Sequence, residues 1–198
     1  MEKNNTFQIE RYSSIEEAYM AKKSTWEKLT NKDLVLADLD GVIIMWPFSI
    51  HTYLFKIRKQ KLEALENIIK YSSAWIFTDR PKLVFNPLLE QLFKSLRLNT
   101  SITSKDIKVN DNSELNEGHF TKYSPKRAVI YNASKSTKHA ENIILKTLEN
   151  FDHVYYIASK DIHRNYVDLD LLMRVEEKYS VNLSKFTFID IEKKWYQR

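Results

Sequence analysis

Short apolar runs alternate with amphipathic stretches along most of the chain, a pattern typical of α/β folds. Between the runs, apolar residues recur every three or four positions, as expected of helices with one buried face. Runs that are apolar throughout suit parallel strands covered on both faces. The pattern therefore predicts a Rossmann-like three-layer sandwich with a roughly five-stranded parallel sheet. The five predicted strands are 34–37, 74–77, 128–131, 154–157 and 186–191.

The helical stretches divide the chain into an extension and one domain. Ser14 and Glu17 have the spacing of a capping box, and they open a predicted helix over 14–29. We therefore expect an N-terminal helical extension over 1–32 and a single α/β domain over 33–198. The other predicted helices are 56–71, 87–96, 138–150 and 166–179.

Glycine and cysteine are scarce enough to exclude several kinds of site. The 198 residues include 2 glycines, Gly41 and Gly118, and no cysteine. Dinucleotide loops, P-loops and Gly-x-Ser-x-Gly elbows need glycines that this chain lacks. Without cysteine there is no disulfide framework, thiolate zinc site or thiol nucleophile. Any catalysis must therefore come from other side chains, or from the backbone around Gly41.

The charge balance is mildly basic. Lysine and arginine number 31 against 26 acidic residues, which gives a net charge of +5. Because the basic residues are scattered along the chain, we interpret the net charge as that of a solvated surface. The alternative is that the positive charge attracts phosphates or nucleic acid. No apolar run is long enough to span a membrane, and the first residues lack the apolar core of a signal peptide. We expect a cytoplasmic protein without a membrane partner.

Two carboxylates follow the first predicted strand. In parallel sheets, ligands bind beyond the carboxyl ends of the strands. Asp38 and Asp40 lie two residues apart, so in an extended segment they face the same side. Converging carboxylates repel each other unless a cation relieves them, and Mg²⁺ is suited to oxygen ligands. Gly41 then allows a sharp turn and a close approach of the backbone to a ligand.

Donors for a phosphate follow the other strands. Thr78 ends the second strand, and Lys138 opens the helix after the third. Lys135, three residues earlier, competes with Lys138 for the same role. A hydroxyl and an ammonium supply the hydrogen bonds that a phosphate needs. Together with the carboxylates they point to phosphoryl chemistry.

In this order the residues resemble the motifs of the haloacid dehalogenase (HAD) superfamily of phosphotransferases. The segment 34–43, an apolar strand followed by Asp-x-Asp and a turn, resembles the first motif. The strand ending in Thr78 resembles the second motif, and Lys138 at a helix start resembles the third. The resemblance covers about 33–191, which is nearly all of the chain beyond the extension.

The resemblance implies a role for each of these residues. Asp38 would be the nucleophile that forms an aspartyl-phosphate, and Asp40 would be the general acid and base. Thr78 would bind a phosphoryl oxygen, and Lys138 would neutralise charge. Mg²⁺ would be held by Asp38, the backbone carbonyl of Asp40 and a carboxylate of the fourth motif. The implied function is Mg²⁺-dependent hydrolysis of a phosphomonoester.

The fourth motif departs from the family pattern. Ser159 stands after the fourth strand, where the family usually has a metal-binding carboxylate. Asp161 is the nearest acidic residue and is our candidate for the missing ligand, while Asp168 in the following helix is a weaker substitute. The alternative is a catalytically weak or silent domain that serves binding or regulation.

Candidate substrate-binding residues follow the first two motifs. They are Gly41, Trp46, Asp79 and Arg80. Trp46 belongs to an aromatic segment that resembles the family's flap, where it would stack on a base or sugar or pack the sheet edge. Arg80 would hold a second phosphate or pair with Asp79.

The expected cap over the site is small. The segment between the first two motifs is mostly one predicted helix, and residues 99–124 are polar and unpatterned, which predicts a loop. Neither has room for the large cap domain of many relatives. A minimal cap suits a bulky phosphorylated substrate, such as a nucleic-acid end or a phosphoprotein.

Overall fold

Seven strands of the described chain form one sheet, and all neighbouring strands in it run parallel. The computed structural model describes residues 6–39, 42–45, 56–57, 59–78, 93–103, 126–131, 134–159 and 167–192. The strands are β1 (Gln8–Tyr12), β2 (Asp33–Asp38), β3 (Ile44–Met45), β4 (Lys56–Ile57), β5 (Ser73–Phe77), β6 (Asn99–Thr103), β7 (Arg127–Tyr131), β8 (His153–Ser159) and β9 (Phe186–Ile191). The helices are α1 (Ile15–Ala21), α2 (Lys23–Trp26), α3 (Lys59–Ile68), α4 (Lys138–Asn150) and α5 (Val167–Tyr179). The predicted α/β class with a parallel sheet is confirmed.

Two apolar clusters lie on opposite faces of this sheet, because alternate residues of each strand point to opposite sides. In β2, Val35 and Ala37 belong to the cluster that contains Trp26 and Leu65, from α2 and α3. Leu36, on the other face, belongs to the cluster formed with α4 and α5. The described chain therefore has three layers, as the sequence predicts for a Rossmann-like sandwich.

The expectation of about five strands was too low, because two edge strands were missed. The order across the sheet is β1-β9-β8-β2-β5-β7-β6, so among the described strands β1 and β6 each have one neighbour. An edge strand with a solvated side needs no continuous apolar run, and β1 and β6 read Gln-Ile-Glu-Arg-Tyr and Asn-Thr-Ser-Ile-Thr. Residues 99–103 are thus a strand rather than the start of a loop. The rest of that predicted loop, 104–125, lies outside the described residues.

The N-terminal segment is helical only in part. Ser14 caps α1 by accepting a hydrogen bond from the Glu17 amide at 3.1 Å. The predicted single helix is divided at Lys22 into α1 and α2. β1 pairs with β9 along its whole length, and Trp26 is 1% exposed within the core. The segment therefore contributes a strand and core residues to the same sandwich.

The direction of the chain's crossovers reverses beside β2. From β2 the chain moves to β5 and β7 on one side, and it then returns to β8 and β9 on the other. The carboxyl ends of β2 and β8 consequently flank the point where ligands bind in open α/β sheets. Asp38 and Ser159 are the last residues of these two strands.

Candidate functional site

A buried ion pair lies at the carboxyl end of β2. The Lys135 ammonium is 2.9 Å from Oδ1 of Asp38, and these side chains are 5% and 10% exposed. The backbone N–H of Leu39 donates to the same oxygen at 3.0 Å. Both donors stabilise the charged form of the carboxylate. The strand end therefore presents an ionised aspartate with a fixed cation beside it.

Lys135 is held from several sides. Its ammonium also donates to the carbonyl of Phe77 at 3.3 Å and lies 4.7 Å from the centre of the Phe77 ring. Oδ1 of Asp168, on α5, is 3.9 Å away. Hydrogen bonds and a cation–π contact together fix the position of this flexible side chain.

The lysine that lies beside Asp38 is Lys135. It precedes Thr137, whose side chain caps α4 by accepting from the Ala140 amide. Lys138 is the first residue of α4, and its side chain is exposed. The sequence left the two lysines as alternatives and named Lys138 for the site. The geometry favours Lys135, which lies in the turn that leads from β7 to the helix.

Thr78 lies beside Asp38, as its position in the sequence predicts. β2 and β5 are neighbours, and Asp38 is paired with Phe77, so Thr78 follows directly after the residue opposite Asp38. Its side chain is fully buried, and its N–H donates to the carbonyl of Ile130 on β7 at 3.1 Å. The strand ladder thus fixes the backbone from which this hydroxyl projects.

A second carboxylate faces the lysine from α5. Asp168 is 6% exposed, and the hydroxyl of Tyr156 on β8 donates to its Oδ1. The sequence offers Asp161 and, as a weaker substitute, Asp168 for the carboxylate that is missing at Ser159. Asp161 lies outside the described residues, and Asp168 lies near Lys135. Two acidic groups therefore lie within 4 Å of one ammonium.

A further ionic cluster ties α5 to the segment that carries Lys135. Glu141 of α4 accepts from Arg174 at 2.8 Å, from Lys178 at 2.7 Å and from the Tyr179 hydroxyl at 2.9 Å. Burial alone would raise the pKa of Glu141, but these hydrogen bonds outweigh it and lower the pKa. Arg174 also donates to the backbone carbonyl of Lys135. Sequence patterns offered no signal for this cluster, because its partners are more than 30 residues apart.

Several predicted site residues lie outside the described residues. These are Asp40, Gly41, Trp46, Asp79, Arg80 and Asp161. Their proposed roles in acid–base catalysis, substrate binding and metal binding stay predictions.

The described residues include two oxygen groups of the kind that Mg²⁺ binds. Mg²⁺ prefers hard oxygen ligands, and Asp38 and Ser159 supply a carboxylate and a hydroxyl at the ends of adjacent strands. In the ranges given above, no three acidic, histidine or cysteine side chains group together in a way that would hold a metal. The donor chemistry suits Mg²⁺, and completing the set would require Asp40 and Asp161.

Comparisons with models of known families, with curated proteins and with solved structures find no match to this chain. Among the helices that the structure describes, none has the length and apolar character needed to cross a membrane.

Proposed function

We propose that this protein is a phosphomonoester hydrolase of HAD type that acts through Asp38. The observation that carries the proposal is the buried pair of Asp38 and Lys135 beside Thr78, where the sheet's crossover direction reverses. A carboxylate that is ionised and fixed in place is a competent nucleophile towards phosphorus. An adjacent ammonium stabilises the negative charge of a phosphoryl group.

The proposed reaction has two steps. A carboxylate oxygen of Asp38 forms a bond to phosphorus, the ester P–O bond breaks, and Asp40 protonates the leaving oxygen. Asp40 then takes a proton from water, whose oxygen attacks phosphorus and releases Asp38 and inorganic phosphate. Lys135 and Thr78 hold the phosphoryl oxygens throughout. Asp168 and Tyr156 keep the lysine in place.

Magnesium belongs to the proposal as a cofactor. Asp38, the backbone carbonyl of Asp40 and Asp161 would hold Mg²⁺, which when bound supplies positive charge to the phosphoryl oxygens. The substrate would be a phosphorylated molecule, and a minimal cap would admit a bulky one such as a nucleic-acid end or a phosphoprotein. We place this activity in the cytoplasm.

An aryl phosphate assayed with Mg²⁺ tests the proposal. We expect turnover that Asp38→Asn abolishes and that Lys135→Gln lowers by about 10²–10³-fold, the usual cost of a lost charge-stabilising donor. Lys138→Gln serves as the matched comparison, because that side chain is exposed at the start of the helix. Circular dichroism verifies that each variant is folded. Turnover that survives Asp38→Asn would overturn the mechanism, and a larger loss in Lys138→Gln would reassign the lysine.

A silent binding or regulatory domain is the second candidate. Ser159 favours it, because a neutral hydroxyl stands where the family has a metal-binding carboxylate. The buried Asp38–Lys135 pair would then serve only to join β2 to the start of α4. Absence of turnover, together with no Mg²⁺ binding that depends on Asp38, would support this candidate over hydrolysis.

A further inference from the structure

A cavity of about 930 Å³ opens at the amino-terminal edge of the sheet, opposite Asp38. Its lining comes from the end of α3, the turn before β6 and the residues that enter β7. Strands of five residues separate the two edges by about 16 Å. The volume falls within the range of about 300–1,000 Å³ that is common for small-molecule sites.

Four basic side chains and one acidic side chain line this cavity. Lys70, Arg97 and Lys126 are exposed, and Arg127 is half-buried behind them, whereas Glu66 is the single carboxylate in the lining. In the part of the chain that the structure describes, none of these five groups forms an ion pair. The lining therefore carries an excess of three positive charges, because Glu66 offsets one of the four basic groups.

Arg127 has a structural role that the other three cations do not share. Its guanidinium donates to the carbonyl of Leu96 at 3.2 Å and to those of Ile69 and Lys70 at 2.8 and 3.2 Å. Burial lowers its pKa, and the nearby positive charge of Arg97 lowers it further. The backbone carbonyls thus occupy Arg127, and the Lys70 ammonium lies 5.1 Å from the centre of the Tyr71 ring, whereas Arg97 and Lys126 are exposed in the lining.

Arg97 is held in place by an unusual backbone conformation. Its φ of 56° lies in the left-handed region, which glycine occupies at the ends of many helices. Hydrogen bonds from Arg97 to the Lys94 carbonyl and from Leu98 to the Phe93 carbonyl, at 3.0 and 2.9 Å, form the turn. A residue with a side chain costs about 1 kcal/mol or more in this conformation, so glycine would be the more stable choice for the turn alone. The long basic side chain instead reaches the cavity.

We propose that this cavity is a binding site for an oligophosphate anion, either free or as the phosphate chain of a nucleotide. Guanidinium and ammonium groups form strong charge-assisted hydrogen bonds to phosphate oxygens, and a chain of phosphates supplies several acceptors for the exposed cations of the lining. A ligand of this charge also relieves the repulsion between Arg97 and Arg127. The site lies at the opposite edge of the sheet from Asp38, so it does not depend on the proposed hydrolysis.

Calorimetric titration of the full chain with sodium tripolyphosphate, and separately with ATP, tests this site. The variants are Arg97→Gly and Lys126→Gln, with Lys28→Gln as the control, because Lys28 is also exposed and lies near α2, outside the cavity. We expect Arg97→Gly and Lys126→Gln each to weaken binding about tenfold, and Lys28→Gln to bind like the original chain. Arg97→Gly should also raise the melting temperature, because it removes the left-handed strain, so its loss of binding would not reflect unfolding.

Asp38→Asn separates this site from the proposed active site. Binding that is unchanged in Asp38→Asn and weakened in Arg97→Gly supports the basic cavity, whether or not the protein hydrolyses phosphate esters. Tighter binding of ATP than of tripolyphosphate would assign the site to nucleotides, and equal binding would assign it to the phosphate chain. No binding of either probe, equal binding in all variants, or an equal loss in Lys28→Gln would overturn the proposal.

Discussion

Lys135 is held by several contacts near the proposed site. It is 5% exposed, and its ammonium lies between Asp38 and Asp168 at 2.9 and 3.9 Å. A buried pair of this kind adds little net stability, because desolvation offsets the attraction, but removal of one partner takes away the ion-pair attraction while the other charge stays buried. The stability of the chain should therefore respond far more to a single change in this pair than to a double one.

Lys135→Met should lower the free energy of unfolding by about 3–5 kcal/mol, because Asp38 and Asp168 would then lose their shared cation. The double variant Asp38→Asn with Lys135→Met should regain part of this loss. Urea unfolding of the two single variants and the double variant measures the coupling. A loss below about 1 kcal/mol in Lys135→Met would show that the pair is not buried and charged in solution.

Among the candidate site residues, those that directly follow a predicted strand are the ones that the sequence predicts best. Asp38 and Thr78 were found because each directly follows an apolar run, and the ends of adjacent parallel strands meet. The sequence does not decide between Lys135 and Lys138, because Lys135 lies in a turn, where no periodicity indicates which way its side chain points. Tyr156 was missed because its hydroxyl reaches Asp168 on another element, and no local pattern reports such a contact.

Glu141 joins the two helices that cover one face of the sheet. It is 3% exposed on α4, and it accepts hydrogen bonds from three side chains of α5. Since Arg174 of the same cluster donates to the Lys135 carbonyl, the helix contact also supports the turn that carries this lysine. The relative position of α4 and α5 is thus linked to the proposed site.

Glu141→Gln should destabilise the chain by about 1–3 kcal/mol at neutral pH, because Arg174 and Lys178 would lose a charged acceptor. The folded-state pKa of Glu141 lies below 4.5, so the carboxylate's contribution is complete above pH 4.5 and declines as the pH falls through the folded value. Unfolding free energies measured against pH should therefore converge for the two proteins in acid. A constant difference down to the folded pKa would contradict this assignment.

His153 on β8 should make stability depend on pH near neutrality. Burial lowers the pKa of His153 below 6.5, and the positive charge of Lys22 lowers it further. The negative charges of Asp33 and Glu10 oppose this decrease. As the pH falls below 6.5, the unfolded chain binds a proton before the folded chain does, so the free energy of unfolding decreases until the folded pKa is reached. His153→Gln should remove this decrease while keeping a polar partner for Thr187, which lies 3.0 Å from the ring.

Chemical denaturation at a series of pH values from 8 to 5 measures this effect. The other four histidines are the same in both proteins, so the difference between the two curves reports His153 alone. Parallel curves over this range would show that its pKa is unchanged by folding.

How well the sequence predicts a strand depends on whether the strand lies inside the sheet or at its edge. The predicted helices 138–150 and 166–179 match α4 and α5 to within one residue, and the five apolar runs all became strands. Interior strands need apolar side chains on both faces, which leaves a plain signal in the sequence. β1 and β6 are the outermost of the described strands and have largely polar sequences, which resemble those of loops.

The N-terminal segment helps to form one of the two apolar clusters of the described molecule. Ile15, Trp26 and Leu29 belong to the same apolar cluster as Val35 and Ile189. Trp26 packs edge-on against Tyr155 at 4.9 Å between ring centres, and its indole N–H donates to the Ala18 carbonyl. The boundary predicted at 32/33 therefore does not separate two apolar cores.

Removal of residues 1–32 should prevent stable folding of the chain that begins at residue 33. The truncation exposes the edge of β9 and the apolar face that α1 and α2 cover. We expect no cooperative thermal transition and strong binding of a dye that detects exposed apolar surface. A transition near that of the full chain would show that the extension is dispensable.

The pairing of β1 with β9 sets an order of events during synthesis. Gln8 lies opposite Thr187, and Tyr12 lies opposite Ile191, so the partner of β1 is made almost 180 residues later. At about 5–20 residues per second, β1 waits on the order of ten seconds or more after leaving the ribosome. Its alternation of polar and apolar residues keeps it soluble in that interval, whereas an apolar strand would invite pairing between nascent chains.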